Sequence, residues 1–302
     1  MAKKVLIIDE VHPSLAADLQ SLGFEVDEKP HILPQEVRLK GYQGLILRSK
    51  MKLGHIELAD SGLEFIARAG AGLDLIDVDY CEANQIHVFS ANEGNRDAVA
   101  EHVIGQLITL ARKINTADSE VRQGIWNREG NRGWELQGKT LGIIGFGNMG
   151  QSLAKKLQGF DMRIMAYDKY APATHDLADI FEHADILSLH IPLTEETKEM
   201  INQAFLEQFK KPIVLINSSR GAVCSLEAIA NGLSTGKLRG LALDVLPNEK
   251  LATWSPAEKA LFEQIAAHPT TLFSPHVAGW TTESYWKIND ALIDKIKAHY
   301  QL

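Results

Sequence analysis

The apolar positions of this chain fall into two kinds of run that alternate. Val5 to Asp9, Phe24 to Asp27, Gly44 to Leu47, Phe65 to Arg68 and Ile86 to Phe89 are short and nearly continuous. Runs of that length are too short for a helix and read as buried strands. Between them, Pro13 to Leu22 and Val78 to Ala83 show helical spacing, the first with Gly23 as its stop. Ala98 to Arg122 then reads as one long helix. Its apolar positions, among them Val99, Val103, Leu107 and Ile114, cover more than one face. A helix of that kind connects two units or forms a subunit interface. Gly124 to Gln137 reads as loop, with Trp126 and Trp134 as packing anchors.

A second series of strands follows: Thr140 to Ile144, Arg163 to Tyr167, Asp185 to Leu189, Ile213 to Asn217, Gly240 to Leu243 and Thr271 to Phe273. Helical patterns separate them at Gln151–Leu157, 176–183, 203–209, 226–235 and 256–266, and Thr281 to Tyr300 closes the chain. Strands alternating with helices imply parallel sheets in α/β layers. The fold class is therefore α/β, with two doubly wound parallel-sheet domains. A length of 302 residues gives each its own core.

Composition narrows the function without choosing it. Hydrophobic residues make up 45% and charged residues 23%, as in ordinary globular chains. A net charge of −8 argues against nucleic acid or an anionic membrane as partner. No apolar run approaches the ~18 residues of a membrane span. The N-terminus lacks the pattern of a signal peptide and reads as the first strand. Cys81 and Cys224 form no metal or disulfide pattern. No metal is expected, and two inert core thiols fit a reducing cytoplasm.

The chemistry starts at residues 139–150, K-T-L-G-I-I-G-F-G-N-M-G. Gly145, Gly147 and Gly150 form G-x-G-x-x-G between a strand pattern and a helix pattern. The first glycine permits the turn, the second lets backbone approach a pyrophosphate, and the third lets helix and strand pack closely. The helix N-terminus supplies unpaired N–H groups for the phosphates. A plain strand–turn–helix also carries glycines. Asp168, however, ends the next strand, about 20 residues on, where an acid accepts from a ribose 2′-hydroxyl. That favours NAD over NADP, although Lys169 stands beside it.

Ligands of open parallel sheets bind outside the carboxyl ends of the strands. Asp168, His190, Asn217, Ser218, Arg220, Asp244 and His276 all stand at such ends. His276 is the candidate acid/base, because imidazole titrates near working pH. Arg220 is the candidate clamp, because a guanidinium holds a carboxylate with two parallel bonds. Glu249 could hold the imidazole. Taken singly, each has an ordinary reading as a structural histidine, a surface ion pair or a solvated loop residue.

Six stretches together resemble the D-isomer-specific 2-hydroxyacid dehydrogenases. They are R-A-G-A-G-L-D (68–74), G-K-T-L-G-I-I-G-F-G-N-M-G (138–150), H-I-P-L-T-E-E-T (190–197), I-N-S-S-R-G (216–221), A-L-D-V-L-P-N-E (242–249) and S-P-H-V-A-G-W-T (274–281). The first, with N-E-G-N-R-D-A-V-A-E-H (92–102), is most similar to the D-3-phosphoglycerate dehydrogenase subgroup. The resemblance implies a Rossmann-type NAD domain, residues 99–279, inserted in a flavodoxin-like substrate domain of residues 1–98 and 280–302. It implies Arg220, Glu249 and His276 as catalytic residues. Cofactor contacts would come from Gly145, Gly147, Asn148, Met149, Gly150, Asp168, His190, Pro192, Thr197, Ser218, Asp244 and Gly279. A homodimer joined through the cofactor domain is implied as well. Asn148 stands where many members carry Arg, and Lys250 where Pro is common. The chain ends after its last helix, so the regulatory domain of some relatives is not expected.

On that footing the acid's carboxylate would be held by Arg220 and by backbone N–H groups of Gly70, Ala71 and Gly72. His276 would exchange the C2 hydroxyl proton, with Glu249 favouring its charged form. Asp244 would orient the nicotinamide carboxamide. Arg48, Lys50, Lys52 and Arg96 are candidates for a phosphate on C3, Arg48 first because it stands at a strand end. Oxidation of 3-phosphoglycerate, in serine biosynthesis, is the leading expectation. Reduction of hydroxypyruvate or glyoxylate is the alternative. A third reading of another class is an NADH-binding sensor or corepressor with little catalysis, which would need no substrate clamp.

Overall fold

The short apolar runs are strands because both their faces are covered: every residue of Gly44–Leu47, Thr140–Ile144, Ile186–Leu189 and Ile213–Asn217 is buried. Such runs belong to parallel sheets with helices on each side. The computed structural model describes residues 2–172 and 175–302. They form two units, one of residues 1–96 and 280–302, the other of residues 97–279.

The first unit runs β1 (Lys4–Ile7), α1 (Ser14–Ser21), β2 (Glu25–Glu28), β3 (Gly44–Leu47), α2 (His55–Leu58), β4 (Phe65–Arg68), α3 (Val78–Ala83) and β5 (His87–Ser90). Its sheet is wholly parallel, in the order β2-β1-β3-β4-β5. The order reverses between β1 and β3, the position at which ligands enter folds of this kind.

The second unit holds α4 (Arg96–Arg112, which starts at the boundary), α5 (Ile114–Arg122), β6 (Thr140–Ile144), α6 (Asn148–Lys156), β7 (Arg163–Tyr167), α7 (Leu177–His183), β8 (Ile186–Leu189), α8 (Gln203–Gln208), β9 (Ile213–Asn217), α9 (Leu226–Ser234), β10 (Leu238–Leu243), α10 (Pro256–Ala266) and β11 (Thr271–Phe273). The six strands are parallel, in the order β11-β10-β9-β8-β6-β7, and the reversal lies between β6 and β8. Helix starts follow cap chemistry: Asp176 and Ser255 accept from Asp179 and Glu258 N–H groups at 2.9 and 3.2 Å.

The last helix, α11 (Thr282–Tyr300), returns to the first unit behind a capping box at Thr281. Its Ile288, Leu292, Ile293 and Ile296 join Leu15, Leu19 and Phe65 in one buried cluster. Each such side chain contributes roughly 1.5–3 kcal/mol. Asn289 adds hydrogen bonds to Ser14 Oγ and Asp18 Oδ2, at 2.8 and 2.9 Å.

Two expectations need correction. The helix expected over 98–122 is two helices, because Lys113 takes left-handed backbone angles (φ 52°) and ends α4. Trp126 is not a packing anchor, being 81% exposed, whereas Trp134 packs on the core and lies 4.6 Å below the Arg239 guanidinium. Both cysteines are buried, and burial pushes the Cys224 thiol up to about 12.

Candidate functional site

The glycine loop lies at the reversal point of the second sheet. Gly145 turns with φ 93°, and a Cβ there would stand 2.4 Å from the His190 carbonyl oxygen, so the loops after β6 and β8 touch. A Cβ at Gly150 would meet the Gly145 carbonyl at 2.2 Å, whereas one at Gly147 would meet nothing within 4 Å. Open space therefore lies over the second glycine, where α6 begins at Asn148 with no side-chain cap. Helix N–H groups without a cap suit an anionic ligand. Met149 packs inward on the core.

Asp168 follows β7, and among the described residues its carboxylate accepts from backbone N–H groups. Oδ2 accepts from the Phe146 N–H at 2.7 Å, and Oδ1 from Tyr170 and Ala171 at 2.9 and 3.0 Å. Across the reversal point, His190 Nε2 contacts Ser188 Oγ at 2.9 Å. Desolvation lowers its pKa to about 4, so the ring is neutral at physiological pH. Beyond it, the Thr197 hydroxyl donates to the Pro192 carbonyl at 2.7 Å and accepts from the Thr194 N–H at 2.8 Å. Ser218 Oγ, after β9, is buried without a hydrogen-bond partner among the described residues. A dinucleotide fits these residues: an uncapped helix start, a cradle that a side chain would fill, a carboxylate at the ribose position and an orphaned hydroxyl.

His276 and Glu249 form a hydrogen-bonded pair. His276 Nδ1 lies 2.8 and 3.0 Å from the two oxygens of Glu249, and both side chains are about half exposed. A carboxylate only accepts, so Nδ1 carries the hydrogen and Nε2 is left to exchange a proton. The His276 backbone is left-handed (φ 55°), a conformation that costs a non-glycine residue about 1–2 kcal/mol. Asp244 holds it there. Asp244 is 1% exposed. Its Oδ1 accepts from the Ser274 hydroxyl at 2.6 Å and the Val277 N–H at 2.9 Å, and its Oδ2 accepts from the Ala278 N–H at 2.9 Å. The Asp244 carbonyl accepts from the His276 N–H at 2.7 Å. Gly279 ends the segment. Arg220 is extended (φ −141°), with Nη1 on the Ser219 carbonyl at 2.7 Å. Asn217 anchors it by donating to the Arg220 carbonyl at 3.0 Å.

In the first unit, Arg48 stands after β3 at the reversal point. Asp9, after β1, accepts the N–H groups of Arg48, Ser49 and Lys50 at 2.6, 3.0 and 3.1 Å. The Arg48 guanidinium lies 4.2 Å over the Trp280 ring. Lys50 is turned to the Pro30 carbonyl, Lys52 is exposed, and Arg96 is exposed at the start of α4. Gly70 is extended with positive φ (152°), and the Arg68 side chain occupies the space a Cβ would need. Its carbonyl accepts from Ala91 at 2.9 Å. Ala71 and Gly72 continue the loop, half-buried.

Sequence reasoning missed three residues of these sites. His102 Nε2 and Gln106 Nε2 reach Ser274 Oγ at 2.9 and 3.2 Å, buttressing the hydroxyl that binds Asp244. Arg68 donates from Nε to the Arg48 carbonyl at 3.2 Å. His102 and Arg68 lie inside the quoted motifs 92–102 and 68–74, so a signal existed; Gln106 had none beyond its place on a helical face.

Residues 104–278 match the sequence model of the D-isomer specific 2-hydroxyacid dehydrogenase, NAD binding domain. The hydroxypyruvate reductase of Thermotoga maritima is 33% identical, over 92% of this chain and 90% of that protein. The D-3-phosphoglycerate dehydrogenase of Rattus norvegicus is 30% identical over 98% of this chain, which spans only 57% of the rat protein. The chain likewise spans 64% and 56% of the corresponding proteins of Schizosaccharomyces pombe and Archaeoglobus fulgidus. Among solved structures, the apo-structure of D-lactate dehydrogenase from Escherichia coli superposes with a TM-score of 0.74 at 27% identity, over 99% of this chain and 97% of that one. The chain belongs to the D-isomer-specific 2-hydroxyacid dehydrogenase family, and its second unit is that family's NAD-binding domain.

Proposed function

We propose that the protein interconverts a D-2-hydroxy acid and the 2-oxo acid, with 3-phosphoglycerate and 3-phosphohydroxypyruvate as the physiological pair. The observation that carries the reaction is the Glu249–His276 contact at 2.8 and 3.0 Å, on a segment held by Asp244 in the NAD-binding unit. Bound NAD supplies the hydride acceptor, or NADH the donor, at the nicotinamide ring. Glu249 fixes the imidazole tautomer, so that Nε2 delivers a proton to the C2 oxygen during reduction and removes it during oxidation. Arg220 binds the acid's carboxylate, with a contribution of roughly 1.5–3 kcal/mol for a charge-assisted contact. Asp244, expected at the carboxamide, has both oxygens engaged by the 274–278 segment, so its role is to hold His276.

The phosphate reading rests on Arg48 at the reversal point of the first sheet, with the Arg68 side chain joined to its carbonyl. A specific observation favours the alternative. Lys50 is engaged by the Pro30 carbonyl and the Arg48 guanidinium lies over Trp280, which leaves fewer free donors for a phosphate and suits hydroxypyruvate or glyoxylate. The test is NADH oxidation at 340 nm with 3-phosphohydroxypyruvate, hydroxypyruvate and glyoxylate. A kcat/KM at least tenfold higher for the phosphorylated acid is expected, and the reverse order adopts the alternative. In His276→Ala, turnover should fall by roughly 10²–10⁴ while NADH binding persists. NADH binding without turnover of any 2-oxo acid by the unaltered protein would replace the enzyme reading with that of a sensor.

A homodimer through the second unit is proposed from α5, which has no buried residue although it carries Ile114 and Val121, and from exposed Ile125 and Trp126 beyond it. Light scattering at the monomer mass would end that proposal. A cytoplasmic location and a place in serine biosynthesis follow from the substrate reading and from two buried free thiols.

A further inference from the structure

Beyond Asp168 lies a charge arrangement that the glycine loop does not require. Lys169 follows the carboxylate that faces the ribose position, and its ammonium pairs with Glu196, from the segment after β8. The other oxygen of Glu196 accepts from the Tyr170 hydroxyl at 3.1 Å, and Lys169 lies 5.5 Å from the centre of the Tyr170 ring. Glu196 sits in the turn that Thr194 and Thr197 close with a 2.8 Å hydrogen bond. The hydrogen bond between the two side chains raises the pKa of Lys169 and lowers that of Glu196.

Both side chains are about half exposed, so the pair adds little to stability, about 0–1 kcal/mol. Its consequence is local charge. A 2′-phosphate carries roughly −1.5 to −2 at neutral pH and, beside Asp168, needs a cation. Lys169 is the adjacent cation, and Glu196 both occupies it and adds another negative charge. We infer that Glu196 is a specificity-determining residue for the cofactor: by engaging Lys169 it keeps a 2′-phosphate from being neutralised, and so sets the preference for NAD over NADP together with Asp168. This rests on the nucleotide-binding reading of the glycine loop.

Isothermal titration of NADH and NADPH into the full chain tests it without recourse to any 2-oxo acid. In E196Q, NADPH affinity relative to NADH should rise about tenfold, equivalent to ~1.4 kcal/mol. The double variant K169M/E196Q should lose most of that gain, keeping only what removal of the Glu196 charge contributes. Raising the salt to about 1 M, where the screening length is ~3 Å, should shrink it. An NADPH to NADH ratio unchanged within twofold in E196Q would overturn the inference, and a gain that survives in full in the double variant would overturn the part given to Lys169. Failure of the unaltered protein to bind NADH at all would bring down the glycine-loop reading itself. Binding of NADH with an unmoved ratio would bring down only the role of Glu196.

Discussion

Replacing Asp244 by Asn tests whether a buried carboxylate, and not packing alone, holds His276 in its left-handed conformation. The carboxylate accepts three hydrogen bonds, from the Ser274 hydroxyl and the Val277 and Ala278 N–H groups. An amide keeps one acceptor oxygen. If its NH2 takes the Oδ2 position, it faces the Ala278 N–H; at Oδ1 it faces the Val277 N–H. In either orientation at least one buried N–H meets another donor. Hydrogen bonds to a charged acceptor contribute about 1.5–3 kcal/mol, and a buried donor left unsatisfied costs about 1–3 kcal/mol. Removing the charge also relieves its desolvation penalty, which offsets part of the loss. A net destabilisation of about 2–4 kcal/mol remains. For a domain of this size that corresponds to a fall in Tm of roughly 4–16 °C. The released 274–278 segment should also misplace the imidazole, so kcat should fall more than NADH affinity. Thermal unfolding followed by circular dichroism, with kcat and KM at fixed pH, reads both effects. Ser274→Ala, which removes a single donor, should move each in the same direction by less. If Asp244→Asn melted within 2 °C of the unaltered protein and kept its kcat, the holding role would be wrong.

The glycine loop offers a paired test. Gly147→Ala has open space for its methyl group and should fold with an unchanged Tm but bind NADH at least tenfold more weakly, by calorimetry; Gly150→Ala meets the Gly145 carbonyl at 2.2 Å and should lose stability as well. Equal behaviour of the two would refute the division between cradle and packing glycines. His190 predicts an acid-labile fold: its folded pKa of about 4 lies below the ordinary 6.5, so stability is intact above pH 6.5 and is lost as pH falls toward 4, by about 3 kcal/mol. In His190→Gln, Tm should fall less between pH 6.5 and pH 4, and an identical pH dependence in the two proteins would refute the assignment.

What the sequence made legible follows from where the free energy is local. β3, β4, β6, β7, β9 and β11 begin and end where the apolar runs do, and for β3, β6 and β9, buried at every residue, composition alone shows the limits. The division of the 98–122 pattern was invisible. Lys113 is an ordinary helix former, and only the turn away of the chain explains its left-handed angles. Trp126 misled for a related reason: hydrophobicity says that a surface wants covering, not by what, and in the single chain nothing covers it. The candidate site divides the same way. His276 and Glu249 were legible as residue types at strand ends, and the structure brings them within hydrogen-bonding distance. The direction of a side chain is a tertiary property, and strand-end position does not encode it. Asp244 and Lys50 occupy strand-end segments like their neighbours, yet Asp244 turns to the 274–278 backbone and Lys50 to Pro30. Lys169 is the sharpest instance. Read alone, a lysine beside the ribose acid weakens the case for NAD; paired with Glu196, 27 residues on, the same lysine strengthens it. Strand-end reasoning therefore identifies which residues can reach a ligand, while the partner each one already has decides which ligand it can serve.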